Sequence, residues 1–177
     1  HATQAFTLSV QRAAQQIEFA SLPARSLTEG SFTLSLSGGA SGNAVVVSSQ
    51  TSGVCTVSGL LVSLHSGGTC TLTANQAGNI DYTAAAQLQQ SFTVRWPQTI
   101  AFGPAPTLVY GAQRQLSATG GASGNPVRFS SATPTVCSTS GLNGFEVNAV
   151  AVGSCRVVAN QAGNANYDAA PAVELAL

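Results

Sequence analysis

One stretch is written twice, and it limits what the chain can become. Val54-Cys55 leads through Gly68-Thr69-Cys70-Thr71-Leu72-Thr73-Ala74 to Asn75-Gln76-Ala77-Gly78-Asn79. Val136-Cys137 leads through Ser154-Cys155 to Ala159-Asn160-Gln161-Ala162-Gly163-Asn164. In the first copy Cys70, Leu72 and Ala74 fall on one face of an extended chain and Thr69, Thr71 and Thr73 on the other, the period-two signature of a half-buried strand. The glycine-rich turns Gly38–Asn43 and Gly120–Asn125 match letter for letter. An offset of 82 aligns Cys55 with Cys137 and one of 85 aligns Cys70 with Cys155, so three extra residues lie between the second pair of cysteines, near Asn143-Gly144. Such an insertion belongs in a surface loop.

With 177 residues and a duplication, the chain is expected to form two small domains rather than one large one. Strands recur at short intervals: Gln16–Phe19, Phe32–Ser37, Ala44–Ser49, the strand with Cys55, Leu60–Leu64, the strand with Cys70, and Gln87–Val94. Gly, Ser and Thr punctuate them, and no stretch of ten or more residues shows apolar residues at helical spacing. The pattern predicts an all-β chain of two tandem β-sandwich domains. Ala44–Ser49 is continuous rather than alternating and is therefore expected at a central position. Boundaries are expected as follows: 1–16, the last strand of a preceding repeat (Phe6–Val10) plus a linker; 17–94, the first repeat; 95–99, a short linker; 100–177, the second repeat. His1 opens the chain without a methionine, as an excised segment of a longer polypeptide would.

Charge narrows the function classes. Only 7% of residues are charged and the formal net charge is zero, so the chain lacks the electrostatic term that drives binding to nucleic acid or anionic lipid. Neither is expected as a partner. No apolar run reaches the roughly 20 residues of a membrane helix. All six basic residues are arginines, so neither a Schiff base nor a Lys-Asn isopeptide cross-link can form. A nearly neutral surface rich in hydroxyls and amides suits a secreted protein.

Gln98-Thr99-Ile100-Ala101-Phe102, Val136-Cys137, Gly153-Ser154-Cys155 and the run from Ala159 to Pro171 resemble the tandem immunoglobulin-like (Big-type) repeats of large bacterial surface and adhesin-like proteins. The resemblance covers almost the whole chain, with departures at Asp81 and Ala86, where the second copy has Asn166 and Pro171. It implies a β-sandwich, an extracellular setting at the bacterial cell surface, and a spacer or adhesive role.

Four cysteines allow three pairings, and repeat symmetry favours Cys55 with Cys70 and Cys137 with Cys155 over buried thiols or a zinc site. No metal is expected, because the only internal histidine, His65, has no counterpart in the second repeat. The carboxylates Glu18, Glu29, Asp81, Glu146, Asp168 and Glu174 are scattered singly, and the serines lack a partner histidine, so neither acid/base nor nucleophilic catalysis is expected. No cofactor is implied. Asp81 and Asp168 are read as turn caps rather than calcium ligands. Tyr82 and Tyr167 are expected as corner tyrosines, buried with their hydroxyls on backbone groups. Trp96 and Pro97 form the joint between the repeats, stiff because it lacks Gly and Ser, with Trp96 expected to be shielded and the two repeats to stand end to end. The expected partners are neighbouring repeats of the same polypeptide. The alternatives are a module that binds a glycan or a host-surface protein, or an accessory domain of a secreted hydrolase.

Overall fold

A computed structural model describes residues 8–177. Phe6 and Thr7, with which the expected N-terminal strand begins, lie outside the described residues; Leu8, Ser9 and Val10 are exposed and in no strand. The chain divides into two compact units, the first made of residues up to Arg25 together with Glu29–Val94, the second of Ser26–Thr28 and Arg95–Leu177.

The first unit contains β1 (Glu18–Phe19), β2 (Arg25–Ser26), β3 (Ser31–Thr33), β4 (Leu36–Ser37), β5 (Val45–Ser49), β6 (Cys55–Ser58), β7 (Leu61–Leu64), β8 (Gly68–Gln76) and β9 (Leu88–Arg95), save for the last residues of β2 and β9, Ser26 and Arg95, which belong to the second. They form a sheet of order β2-β9-β8-β5, a sheet of order β3-β7-β6, and the short pair β1-β4. The second unit contains β10 (Ala101–Phe102), β11 (Gln113–Gln115), β12 (Ala118–Thr119), β13 (Val127–Ser131), β14 (Cys137–Ser140), β15 (Glu146–Ala149), β16 (Arg156–Gln161) and β17 (Ala170–Ala176). Its sheets are β13-β16-β17, β11-β15-β14 and β10-β12. Each unit is an immunoglobulin-like β-sandwich of antiparallel sheets.

Alternation decides which face is buried. Along β8, Cys70, Leu72 and Ala74 are fully buried, opposite Phe92, Gln90 and Leu88 of β9. With Val62 of β7 and Val94 of β9 they form the first core, in which burial of each Leu or Val side chain contributes about 1.5–3 kcal/mol. Thr73, on the opposite face, is buried as well; its hydroxyl meets Ser48 Oγ at 2.9 Å and accepts from Gln50 Nε2 at 3.1 Å, so the group is satisfied. The second core has two clusters, one of Leu116, Cys137, Val147, Cys155 and Val157, the other of Ile100, Ala159 and Ala170.

The expected central position of Ala44–Ser49 is corrected. Among the described residues β5 is an edge strand that pairs with β8 alone, and its burial alternates, with Val47 inward and Val46 64% exposed. A run of three valines mimics a two-sided buried strand, but burial follows from which side a neighbour covers. The three inserted residues lie where expected: the β6–β7 turn is Gly59-Leu60, whereas residues 141–145 join β14 to β15. Asn143 sits there at φ 57°, a left-handed conformation that asparagine tolerates better than most residues.

Candidate functional site

Two constellations recur in both units, one around the cysteines and one around buried glutamines. Cys55 of β6 is bonded to Cys70 of β8, with Cα atoms 5.7 Å apart, and Cys137 of β14 to Cys155 beside β16, at 5.6 Å. Each bond joins the two facing sheets of its own unit. A hydroxyl pair accompanies each bridge. Thr51 Oγ1 lies 3.7 Å from Cys55 Sγ and accepts the Thr71 N–H at 3.0 Å; Thr133 Oγ1 lies 3.6 Å from Cys137 Sγ and accepts the Arg156 N–H at 2.9 Å. The cysteines are fully or almost fully buried, so they serve as core residues as well as staples.

The glutamine constellation begins in segments expected as linkers. Residues 11–16 and 95–99 in fact carry the opening rungs of the two units: Ala13 bridges Tyr82, and Trp96 bridges Tyr167, both in parallel. Hydrophobic periodicity misses them because a polar side chain does the anchoring. Gln15 is buried, and its amide donates to the carbonyls of Ala77 at 3.1 Å and Thr83 at 2.9 Å while its oxygen accepts from Ser41 N at 2.9 Å. Gln98 repeats this on Ala162, Asp168 and Ser123. Gln76 clamps the glycine turn, accepting from Gly39 N at 2.7 Å and donating to Asn43 O at 2.7 Å; Gln161 does so on Gly121 and Asn125 at the same distances. Gly39 and Gly78 are required by closeness: a Cβ on Gly39 would stand 2.6 Å from the Gln15 Cβ, and one on Gly78 would run into the Tyr82 carbonyl.

Among the described residues, neither tyrosine hydroxyl has a hydrogen-bond partner. Tyr82 and Tyr167 are half-buried, and it is their backbone N–H groups that bond, each to the side-chain oxygen of Asn79 or Asn164 at 2.9 Å. Turn closure therefore rests on the asparagines. Asn79 Oδ1 also accepts from Asp81 N at 2.9 Å, which leaves the Asp81 carboxylate outward. Asp168 departs from the turn-cap reading, since its carboxylate pairs with Arg95 Nε at 2.7 Å. Trp96 donates its N–H to Asn166 O and accepts from Asp168 N, both at 2.9 Å, which fixes its backbone within the second unit. Trp96 as a residue is 41% exposed. Pro97 follows it, exposed and in no strand.

Matching surface grooves flank both glycine turns, about 510 Å³ beside Gly38–Asn43 and about 470 Å³ beside Gly120–Pro126. Among the described residues no group of three His, Cys, Asp or Glu is placed to hold a metal ion, and no helix is long and apolar enough to cross a membrane. His65 is exposed, with Nε2 at 2.8 Å from Thr56 Oγ1.

No family model matches the chain, and no curated protein does. Solved structures similar in fold include domains 4 and 5 of the S-layer protein SbsC, at 17% identity over 81% of this chain and 80% of that one, with a TM-score of 0.35. A C-terminal 282-residue fragment of intimin, in complex with the intimin-binding domain of its translocated receptor, is 14% identical over 95% of this chain and 64% of its own, with a TM-score of 0.43. Protocadherin gamma B2 cadherin domains 3–6 are 14% identical over 92% and 50%, with a TM-score of 0.45. The chain thus spans less than two thirds of the latter two.

Proposed function

We propose that the chain is a non-catalytic spacer segment of an extracellular bacterial surface or adhesin-like protein, made of Big-type immunoglobulin-like repeats. The observation that carries this reading is the inward use of polar groups in both units. Gln15, Ser41, Asn43, Gln76 and Asn79 direct their hydrogen bonds at backbone of their own unit, as do Gln98, Ser123, Asn125, Gln161 and Asn164. A site built for a ligand keeps convergent polar groups free to meet it. These amides and hydroxyls instead hold loops in one conformation, which is the property a spacer needs. Disulfides linking the sheets of each unit fit an oxidising compartment. The partners of such a segment are the neighbouring repeats of its own polypeptide.

The test is small-angle scattering on the oxidised chain, paired with intact-mass measurement. An elongated particle with no free thiols is expected; a compact particle, or four free thiols after export to an oxidising compartment, overturns the reading. The 41% exposure of Trp96 favours a second reading, a glycan- or protein-binding module, because aromatic side chains bring an apolar face and a polar handle to binding surfaces. A glycan-array signal that disappears in Trp96→Ala would select it.

A further inference from the structure

The outer faces of two equivalent sheet regions, β5-β8-β9 and β13-β16-β17, share a backbone pattern but differ in what their side chains do. Arg128 of β13 lies directly across from Asn160 of β16, as Val46 of β5 lies across from Asn75 of β8. Residues paired in this way stand side by side on one face of the sheet. Arg128 and Asn160 both point outward, since Val127 and Phe129 pack on the core and Ala159 and Gln161 are buried. Beside Asn160 the ladder slips: Ala159 faces Val173, whereas Gln161 faces Ala170. The same slip occurs in the first unit, where Ala74 faces Leu88 and the Ala85 N–H bonds the Gln76 carbonyl. A bulge of this kind bends a strand and re-aims its side chains.

In the first unit the face closes on itself, because Gln87 Nε2 donates to Asn75 Oδ1 at 3.0 Å. In the second unit Ala172 stands where Gln87 does, and Arg128 where Val46 does. The result is a surface groove of about 400 Å³ lined by Pro126, Arg128, Asn160, Ala162, Ala169 and Ala170. Asn125 and Gln161 also border it, but their amides are spent on the backbone of Ala162, Gly163, Gly121 and Asn125. The other charged side chains on this face, Arg156 and Glu174, pair with each other at 3.1 Å. Among the described residues, the Arg128 guanidinium and the Asn160 amide have no hydrogen-bonding or ion-pair partner. Free polar groups that converge beside an apolar floor are the mark of a ligand site.

We propose that this groove of the second unit binds an acidic sugar, a uronic or sialic acid. The Arg128 guanidinium takes the carboxylate, whose two oxygens its planar fork of donors meets together. The Asn160 amide both donates and accepts, which is the pairing that a neighbouring ring hydroxyl returns. Ala162, Ala169 and Ala170 are small enough for the ring to lie against the sheet, and the groove is of the size of small-molecule sites. With zero net charge on the chain, the attraction is local to Arg128 rather than a property of the whole surface. The inference does not rest on the spacer reading, since the amides that hold the turns take no part in it.

Two-dimensional NMR of the oxidised, isotope-labelled full chain, titrated separately with methyl glucuronide, methyl sialoside, methyl glucoside and acetate, provides the test. Saturable shifts of the Arg128 Nε–H, the Asn160 side-chain amide and the Ala162 and Ala170 N–H groups are expected with at least one acidic sugar, at a dissociation constant of about 1–10 mM. The corresponding groups of the first unit, Asn75, Ala77 and Ala85, are expected to stay in place. Methyl glucoside lacks the carboxylate and acetate lacks the ring, so each is expected to bind about tenfold more weakly or worse. Arg128→Val, which installs the first unit's residue at an exposed position, is expected to weaken binding about tenfold or more. Ala172→Gln, which gives Asn160 the partner that Gln87 gives Asn75, is expected to weaken it about threefold. Both variants are expected to leave the melting transitions in place. No saturable shift from either acidic sugar up to about 50 mM would overturn the proposal. So would acetate or methyl glucoside binding as tightly as the acidic sugar, equal shifts in the first unit, or binding unchanged in Arg128→Val.

Discussion

The glutamine cradle and the cysteine hairpin lie in the same unit, yet they compare differently between the two units. In the cradle, every side-chain bond from Gln15, Ser41, Asn43, Gln76 and Asn79 to the backbone has its counterpart from Gln98, Ser123, Asn125, Gln161 and Asn164, with distances agreeing to within 0.2 Å. At the hairpin, the second unit accommodates three more residues and exchanges His65 and Gly67 for Val150 and Val152. The difference follows from what satisfies the backbone. Hairpin strands bond each other along their ladder, so side chains there are free to vary. The cradle is irregular backbone whose buried carbonyls and N–H groups depend on particular side chains, and losing one leaves a polar group without a partner.

The sharpest way to break this symmetry is to remove one staple. Cys70→Ser is expected to cost the first unit about 3 kcal/mol in the chain-entropy account for a loop of about 15 residues, and Cys155→Ser to cost the second a similar amount. Two calorimetric transitions, each moved only by the mutation in its own unit, are the expected result; one transition moving for both would make the units a single cooperative body. Next in size is the cradle. Gln161→Leu keeps the volume but strips Gly121 N and Asn125 O of their partners, and about 2–3 kcal/mol is expected from two groups left unsatisfied in a part-buried site. Gln76→Leu should cost the first unit the same within about 0.5 kcal/mol by urea denaturation. Unequal costs would show that matched geometry conceals unmatched energetics.

Much of the fold was legible because it rests on period-two alternation. Cys70, Leu72 and Ala74 on one face and the site of the three-residue insertion follow from spacing, and repeat symmetry favoured the cysteine pairing among the three that four cysteines allow. The position of β5 was misjudged since valine content reports strand propensity and not which side is covered. The anchoring roles of Gln15 and Gln98 left a faint signal: a glutamine two residues before Ile17 and Ile100, repeated in both copies. Nothing in hydropathy distinguishes a glutamine clamping three backbone groups from one facing solvent, so the segments around them read as linkers. The tyrosines misled in the opposite sense. Their matched positions reflect the asparagine turn beneath them, which binds their backbone N–H groups and leaves the rings half-covered.

The smallest expected effect tests a place where the cradles themselves differ. Arg95 Nε contacts Asp168 Oδ1 at 2.7 Å in the second unit, with side chains 34% and 21% exposed; the corresponding positions in the first unit hold Arg12 and Thr83. Thr83 uses its hydroxyl on the Ala13 carbonyl instead, at 3.4 Å, so the first unit closes the same rung without a charge pair. The pair is only partly withdrawn from water, where an ion pair is worth about 0.2–1 kcal/mol and is weakened by salt. Asp168→Thr, which gives the second unit the residue of the first, is therefore expected to lower its stability by less than about 1 kcal/mol, and the loss should shrink as salt is raised from low ionic strength to about 1 M. A loss that is larger and insensitive to salt would mean that Asp168 acts through the backbone geometry of the rung, where Trp96 O accepts its N–H at 2.9 Å, rather than through its charge.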